Sequence, residues 1–162
     1  MADEPYFSAE ALAAAIRARQ ISPVEAVENC ISRIGRAQPL VNAFITVCAE
    51  TALADAREAE RAVMRGDLLG PLHGVPFSVK DLVATRGVRT TYGSLIFEDH
   101  VPRHDAVAVE RLKAAGAILI GKTTTPEFGQ KGLTEAPLFG RTFILKLFYL
   151  SCLDCWLRTK IT

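Results

Sequence analysis

In HDAVAVERLKAAGAILIGK, residues 104–122, a helix gives way to a strand. Residues 104–115 read as a helix with Asp105 at the N-cap, where a short carboxylate accepts orphan backbone N–H groups. Gly116 closes the helix. AILIGK then forms a compact apolar run, as expected of a buried parallel strand. Upstream, GPLHGVP at 70–76 holds two glycines and two prolines in seven positions, which marks a turn. FSVKDLV follows as a second strand-like run. Strand, crossover, helix, strand is the βαβ pattern, whose crossover is right-handed in nearly every known case. The prediction is an α/β fold, a sheet edge flanked by helices.

Three helical segments precede this unit, over residues 8–65. SAEALAAAIRAR, 8–19, has Ser8 as a natural N-cap with Leu12, Ala15 and Ile16 at helical spacing. The second begins at Ser22, where Ser22 and Glu25 form an S-x-x-E capping box and Pro23 takes the first helical position. Val24, Val27, Cys30, Ile31 and Ile34 make its apolar stripe, and Gly35 is read as its end. NAFITV, 42–47, is a short strand or extended segment. Residues 49–65 return to helix, with Glu58 and Glu60 assigned to the charged side and Ala62 and Met64 to the core.

Composition sets the class. The chain has 162 residues, 49% hydrophobic and 23% charged, with a net charge of +1. That suits one domain with a real core and gives no electrostatic reason to expect nucleic acid as a partner. The N-terminus MADEPYFSAE is acidic and polar, unlike a secretory signal, and a cytoplasmic protein is expected. Cys30, Cys48, Cys152 and Cys155 do not form a disulfide framework.

From Phe143 onward the texture changes to FILKLFYLSCLDCWLRTKIT, dense in bulky apolar residues and containing the only tryptophan, Trp156. Its apolar part runs for roughly 15 residues and is broken by Lys146 and Asp154, against the roughly 20 needed to span a bilayer. Cys152 and Cys155 make a lone C-x-x-C, half a zinc site at best. No metal and no cofactor is expected. His100 and His104 are four apart, but Pro102 between them argues against a helix that would bring them together.

Lys80 is the residue that points to chemistry. It ends a strand-like run just after the Gly/Pro turn, with Asp81 beside it and Ser78 two residues away on the same strand face. A lysine at such a place is either salt-bridged and structural, or desolvated until its pKa falls far enough to act as a base. Residues alone leave both open.

LHGVPFSVKD at 72–81, TTYGS at 90–94, VPRHDAVAVERLKAAGAILIGKTTTPEFG at 101–129 and LTEAPLFGRT at 133–142 together resemble the amidase-signature family, in order and spacing, over about residues 8–142. The resemblance implies a hydrolase acting on carbon–nitrogen bonds of a small amide substrate through a Ser–cis-Ser–Lys triad. Lys80 falls on the triad lysine, the base that draws a proton through one serine from the other. His73 takes a positional role in the signature loop, Glu127 is a buried hydrogen-bonded carboxylate or a structural residue near the site, and Thr124 stands where the family usually has asparagine. The fold implied is the N-terminal part of an amidase-signature domain over 1–142, a mixed sheet flanked by helices and incomplete. Residues 143–162 form a tail unrelated to the family pattern.

The family's two serines lie in a Gly/Ser-rich block downstream of GRT. Here residues 143–162 contain one serine, Ser151, and no glycine. The chain is therefore expected to be a truncated fragment that carries the lysine alone and is inactive by itself, with an altered reading of the 3′ part of the gene as the simplest origin. The alternatives are a partner chain that supplies the serines, and a non-enzymatic interaction module that docks through its apolar tail. An incomplete sheet predicts exposed apolar surface and self-association.

Overall fold

A computed structural model describes residues 7–143; the tail, with Cys152, Cys155 and Trp156, lies outside the described residues. The elements are α1 (Ala9–Arg17), α2 (Pro23–Val41), β1 (Phe44–Val47), α3 (Ala49–Arg65), β2 (Pro76–Lys80), α4 (Val107–Ala114), β3 (Ile118–Thr123), β4 (Glu135–Ala136) and β5 (Gly140–Arg141). Short 3-10 turns cover Leu95–Phe97 and Glu127–Gly129.

The βαβ reading holds. β2 and β3 pair in parallel with α4 in the connection between them, and β1 adds to the other side of β3 as an antiparallel edge, giving the order β1-β3-β2. The sheet is thus mixed. As the central strand, β3 is buried from Ile118 through Lys122. Its register carries an irregularity: Phe77 lies opposite Leu119 but Ser78 opposite Gly121, so Ile120 is an extra residue with no partner on β2. Gly121 is required there, because a Cβ would stand 2.4 Å from the Thr46 carbonyl oxygen of β1.

The core forms where α2 and α3 lie against β3. Val27 and Ile34 of α2, Ala52, Ala56 and Ala59 of α3, and Ile118 and Ile120 of β3 bury together. The alanines of α3 let the helix approach closely. Met64 faces solvent at 64% exposure, and Val63 takes the inward position instead. The expectation that Met64 is core is corrected: the apolar face follows Ala52, Ala56, Ala59 and Val63.

Capping explains the helix ends. Ser8 accepts from Ala11 N–H at 3.1 Å. Ser22 accepts from Val24 N–H at 3.0 Å and donates its own proton to Glu60 at 2.6 Å, which fastens the start of α2 to α3. α2 does not stop at Gly35. It runs on to Val41, with Pro39 inside its last turn. Asn42 ends the helix in the left-handed conformation, φ 49°. The Gln38 side chain takes the N–H groups of Ala43 and Phe44 and leads the chain into β1.

α4 is shorter than 104–115, and Asp105 is not its N-cap. Ala106 precedes the first turn, while the Asp105 carboxylate accepts from Arg86 N–H at 2.7 Å and pairs with Lys113 at 2.9 Å. Asp105 thus ties α4 to the segment after β2. Among the described residues no helix is long and apolar enough to cross a membrane.

Candidate active site

Two lysines end the two parallel strands. Lys80 is the last residue of β2, and Lys122 lies one residue before the end of β3. Val79 pairs with Lys122 and Lys80 with Thr123, so side-chain alternation turns the two lysines to opposite faces of the sheet. Their environments differ completely. Lys80 is exposed, on the same face as exposed Ser78, and its ammonium has no hydrogen bond or ion pair among the described residues. Lys122 is fully buried.

Lys122 Nζ donates to the Val83 carbonyl, to Thr85 Oγ1 at 2.9 Å and to Thr90 Oγ1 at 2.9 Å. Burial pulls its pKa down from 10.5 to about 8; the nearby charges of Asp81, Cys48 and Asp105 oppose that shift, and Lys113 adds to it. A desolvated lysine is present at these strand ends, and it is Lys122. Sequence reasoning missed it. The one available signal was a charged residue closing an otherwise apolar buried run.

Asp81, next to Lys80, is also fully buried. One carboxylate oxygen, Oδ2, accepts from Thr91 N–H at 3.0 Å and from the Thr91 hydroxyl at 2.5 Å. The other, Oδ1, has no hydrogen-bond partner. Asp81 N–H donates to Thr123 at 2.9 Å and its carbonyl accepts from Tyr92 N–H at 3.1 Å, so the chain leaves β2 and returns to the same point. Thr85, Thr90, Thr91, Ser94, Thr124 and Thr125 complete a polar layer that is buried at the C-terminal ends of the parallel strands. In open α/β sheets that is the end where ligand sites are built.

Two aromatic–glycine pairs flank this layer. Tyr92 and Phe128 have φ of 55° and 49°, and Phe128 N–H donates to the Tyr92 carbonyl at 2.8 Å. Left-handed backbone at an aromatic residue is a strained conformation that folded structure has to hold in place. Phe97 packs edge-on against both rings, with centroids at 5.2 Å and 6.2 Å.

The other sequence candidates separate from Lys80. His73 donates from Nε2 to the Ala59 carbonyl at 2.9 Å and lies under Gly116, before the start of β2. His100 stacks on Tyr92 with its ring centroid 6.0 Å away. Glu127 is half-buried, and its carboxylate has no hydrogen bond among the described residues, so the buried hydrogen-bonded carboxylate foreseen there is not found. The backbone at Glu127 packs against Gly93 instead, 3.1 Å from where a Cβ would stand. Thr124 is buried, and its hydroxyl contacts the Ala43 carbonyl at 3.2 Å and Thr142 Oγ1 at 2.7 Å, a tie between β3, the start of β1 and the segment after β5.

Comparison with known proteins adds the family. The sequence pattern described as Amidase matches residues 25–143. A glutamyl-tRNA(Gln) amidotransferase subunit from Geotalea daltonii is 46% identical over 127 residues, 78% of this chain and 26% of that protein. An acylamidase of Rhodococcus erythropolis is 41% identical over 137 residues, 85% of this chain and 29% of that protein. Among solved structures, a bacterial aryl acylamidase of the amidase-signature enzymes superposes with a TM-score of 0.81 at 30% identity, covering 85% of this chain and 29% of that one. Fatty acid amide hydrolase superposes with a TM-score of 0.79 at 26% identity, over 84% of this chain and 24% of that one. The chain spans 24% to 29% of the length of these relatives. With its mixed sheet, its paired strand ends and this span of likeness, the chain belongs to the amidase-signature family, whose fold it shares in part.

Proposed function

We propose that this chain is the lysine-bearing part of a cytoplasmic amidase-type hydrolase that cleaves carbon–nitrogen bonds of a small amide substrate. Lys80 is its base in a Ser–cis-Ser–Lys triad, and the chain is inactive without the two serines. The carrying observation is the position of Lys80, exposed at the C-terminal end of a parallel strand, in a chain of the amidase-signature family. A neutral amine there would draw the proton of a serine, since a hydroxyl becomes nucleophilic only when a placed base withdraws its proton. Residues 143–162 provide neither the Gly/Ser-rich backbone nor a second serine for such a unit. The pure chain is expected to hydrolyse no amide. Hydrolysis that Lys80→Ala abolishes would overturn the claim of inactivity, because triad members act as a unit.

A second reading, in which a partner polypeptide brings the serines, is favoured by the open edge of β2. Asp81 N–H turns to β3, so by alternation the main-chain groups of Ser78 turn away from it, and they have no partner among the described residues. Mixing the full chain with the part of the Rhodococcus relative that lies outside the matched 29%, produced separately, decides this. A stable complex with amide turnover supports it, and two species that elute apart refute it.

A further inference from the structure

Lys122 has no task in the catalytic scheme of Lys80, yet it is the most heavily engaged side chain at the strand ends. Its ammonium has three protons and three acceptors. All three acceptors belong to the loop over residues 81–92, while Lys122 enters from β3. The loop is prepared for a cation. Thr85 and Thr90 donate their own hydroxyl protons to the Val83 and Val88 carbonyls at 3.0 and 3.1 Å, which leaves their oxygens as acceptors facing Nζ. The buried carboxylate of Asp81 stands at the loop's first residue, and it is the largest of the charges that hold the proton on Lys122.

The neck of the loop touches Lys80 directly. Val83 N–H donates to the Lys80 carbonyl at 2.9 Å, and Tyr92 N–H closes onto the Asp81 carbonyl. Val83 thus bonds Lys80 through its N–H and Lys122 through its carbonyl. A buried cation is costly, and an apolar residue of similar volume would fill the same space without that cost, so stability alone does not account for it.

We propose that Lys122 is a positioning residue for the chemistry assigned to Lys80: the 81–92 loop closes around the ammonium, and the closed loop fixes the strand end from which Lys80 projects. This rests on the reading of Lys80 as the base. The test uses the full 162-residue chain. Amide hydrogen exchange follows the loop, and the NMR signal of the 13C-methylated Lys80 amine, assigned with Lys80→Arg, follows the site. In Lys122→Met, exchange over 82–92 should accelerate about tenfold or more, with α2 and α3 unchanged, and the Lys80 signal should move. In Lys122→Ala, propylammonium should restore loop protection where propanol does not.

Unchanged loop exchange overturns the proposal. So does a loosened loop with an unmoved Lys80 signal, which would make the ammonium a local fastening only. If the Lys122 variants do not fold, Thr90→Val removes one acceptor and leaves both charges in place. It should raise loop exchange by about threefold or more and move the Lys80 signal, and no change in either refutes the proposal. None of these readouts needs turnover. Failure to find amide hydrolysis in any assembly would therefore count against the catalytic reading of Lys80, and only the structural claim, that the loop held by Lys122 fixes the Lys80 strand end, would still be decided by these data.

Discussion

At the residue scale, the two lysines show how far a motif can be read. The strand-end place of Lys80 was legible because a Gly/Pro turn, a short strand and a following acid surround it in a recognisable block. Lys122 was not. The loop that supplies its acceptors is 32 to 39 residues away in sequence, and nothing local announces that Thr85 and Thr90 will close upon it. Its burial has a measurable consequence. The unfolded chain keeps the Lys122 proton up to about pH 10.5 and the folded chain releases it near 8, so the unfolded state binds more protons in between. Stability should climb across that window, by up to roughly 3 kcal/mol, and the cost of the buried charge is fully present below pH 8. Chemical denaturation of the native chain and of Lys122→Met should show this climb in the first only. Parallel curves would mean that Lys122 is not buried in solution.

Gly93 gives a second test at this scale. Its φ is 72°, and a Cβ would stand 2.9 Å from the Thr125 carbonyl oxygen. Gly93→Ala should lower stability by about 2 kcal/mol or more, seen as a lower melting temperature. A variant that melts with the native chain would show that this segment is not packed as described.

At the scale of elements, α3 was legible in its bounds, 49–65, but not in its buried face, which runs through Val63 and not Met64. The pairing of β2 with β3 followed from the βαβ order. α2 was read too short, because a glycine was taken as a stop when the actual end is built by Gln38 and Asn42 side chains and backbone. That β1 pairs antiparallel to β3 was not legible, because pairing is decided by packing across the chain and not by local pattern. The strand edge gives a prediction here. Ser78→Pro removes an N–H that points away from β3, so the β2–β3 ladder should survive with an unchanged far-ultraviolet spectrum, while self-association through the edge should fall. Equal association in both forms would show that the edge is not the contact.

For the whole molecule, the relevant quantity is apolar surface that nothing among the described residues covers. Leu95, Ile96, Phe128 and Leu133 are 57%, 82%, 45% and 62% exposed. Together with the open edge of β2 they predict a chain that associates, and light scattering should report oligomers that grow with concentration. A monodisperse monomer with a cooperative melt would refute this.

The extra residue in β3 has a consequence for charge. Counted without it, Leu119 opposite Phe77 would bring Ile120 opposite Ser78, Gly121 opposite Val79 and Lys122 opposite Lys80. Two ammonium groups would then stand side by side on one face, with a repulsion of roughly 3 kcal/mol at a spacing near 5 Å and an effective dielectric of about 20. The bulge at Ile120 moves Lys122 one step along and over to the far side. Ile120, without a partner on β2, thus lets one sheet carry an enclosed cation on one face and an exposed amine on the other.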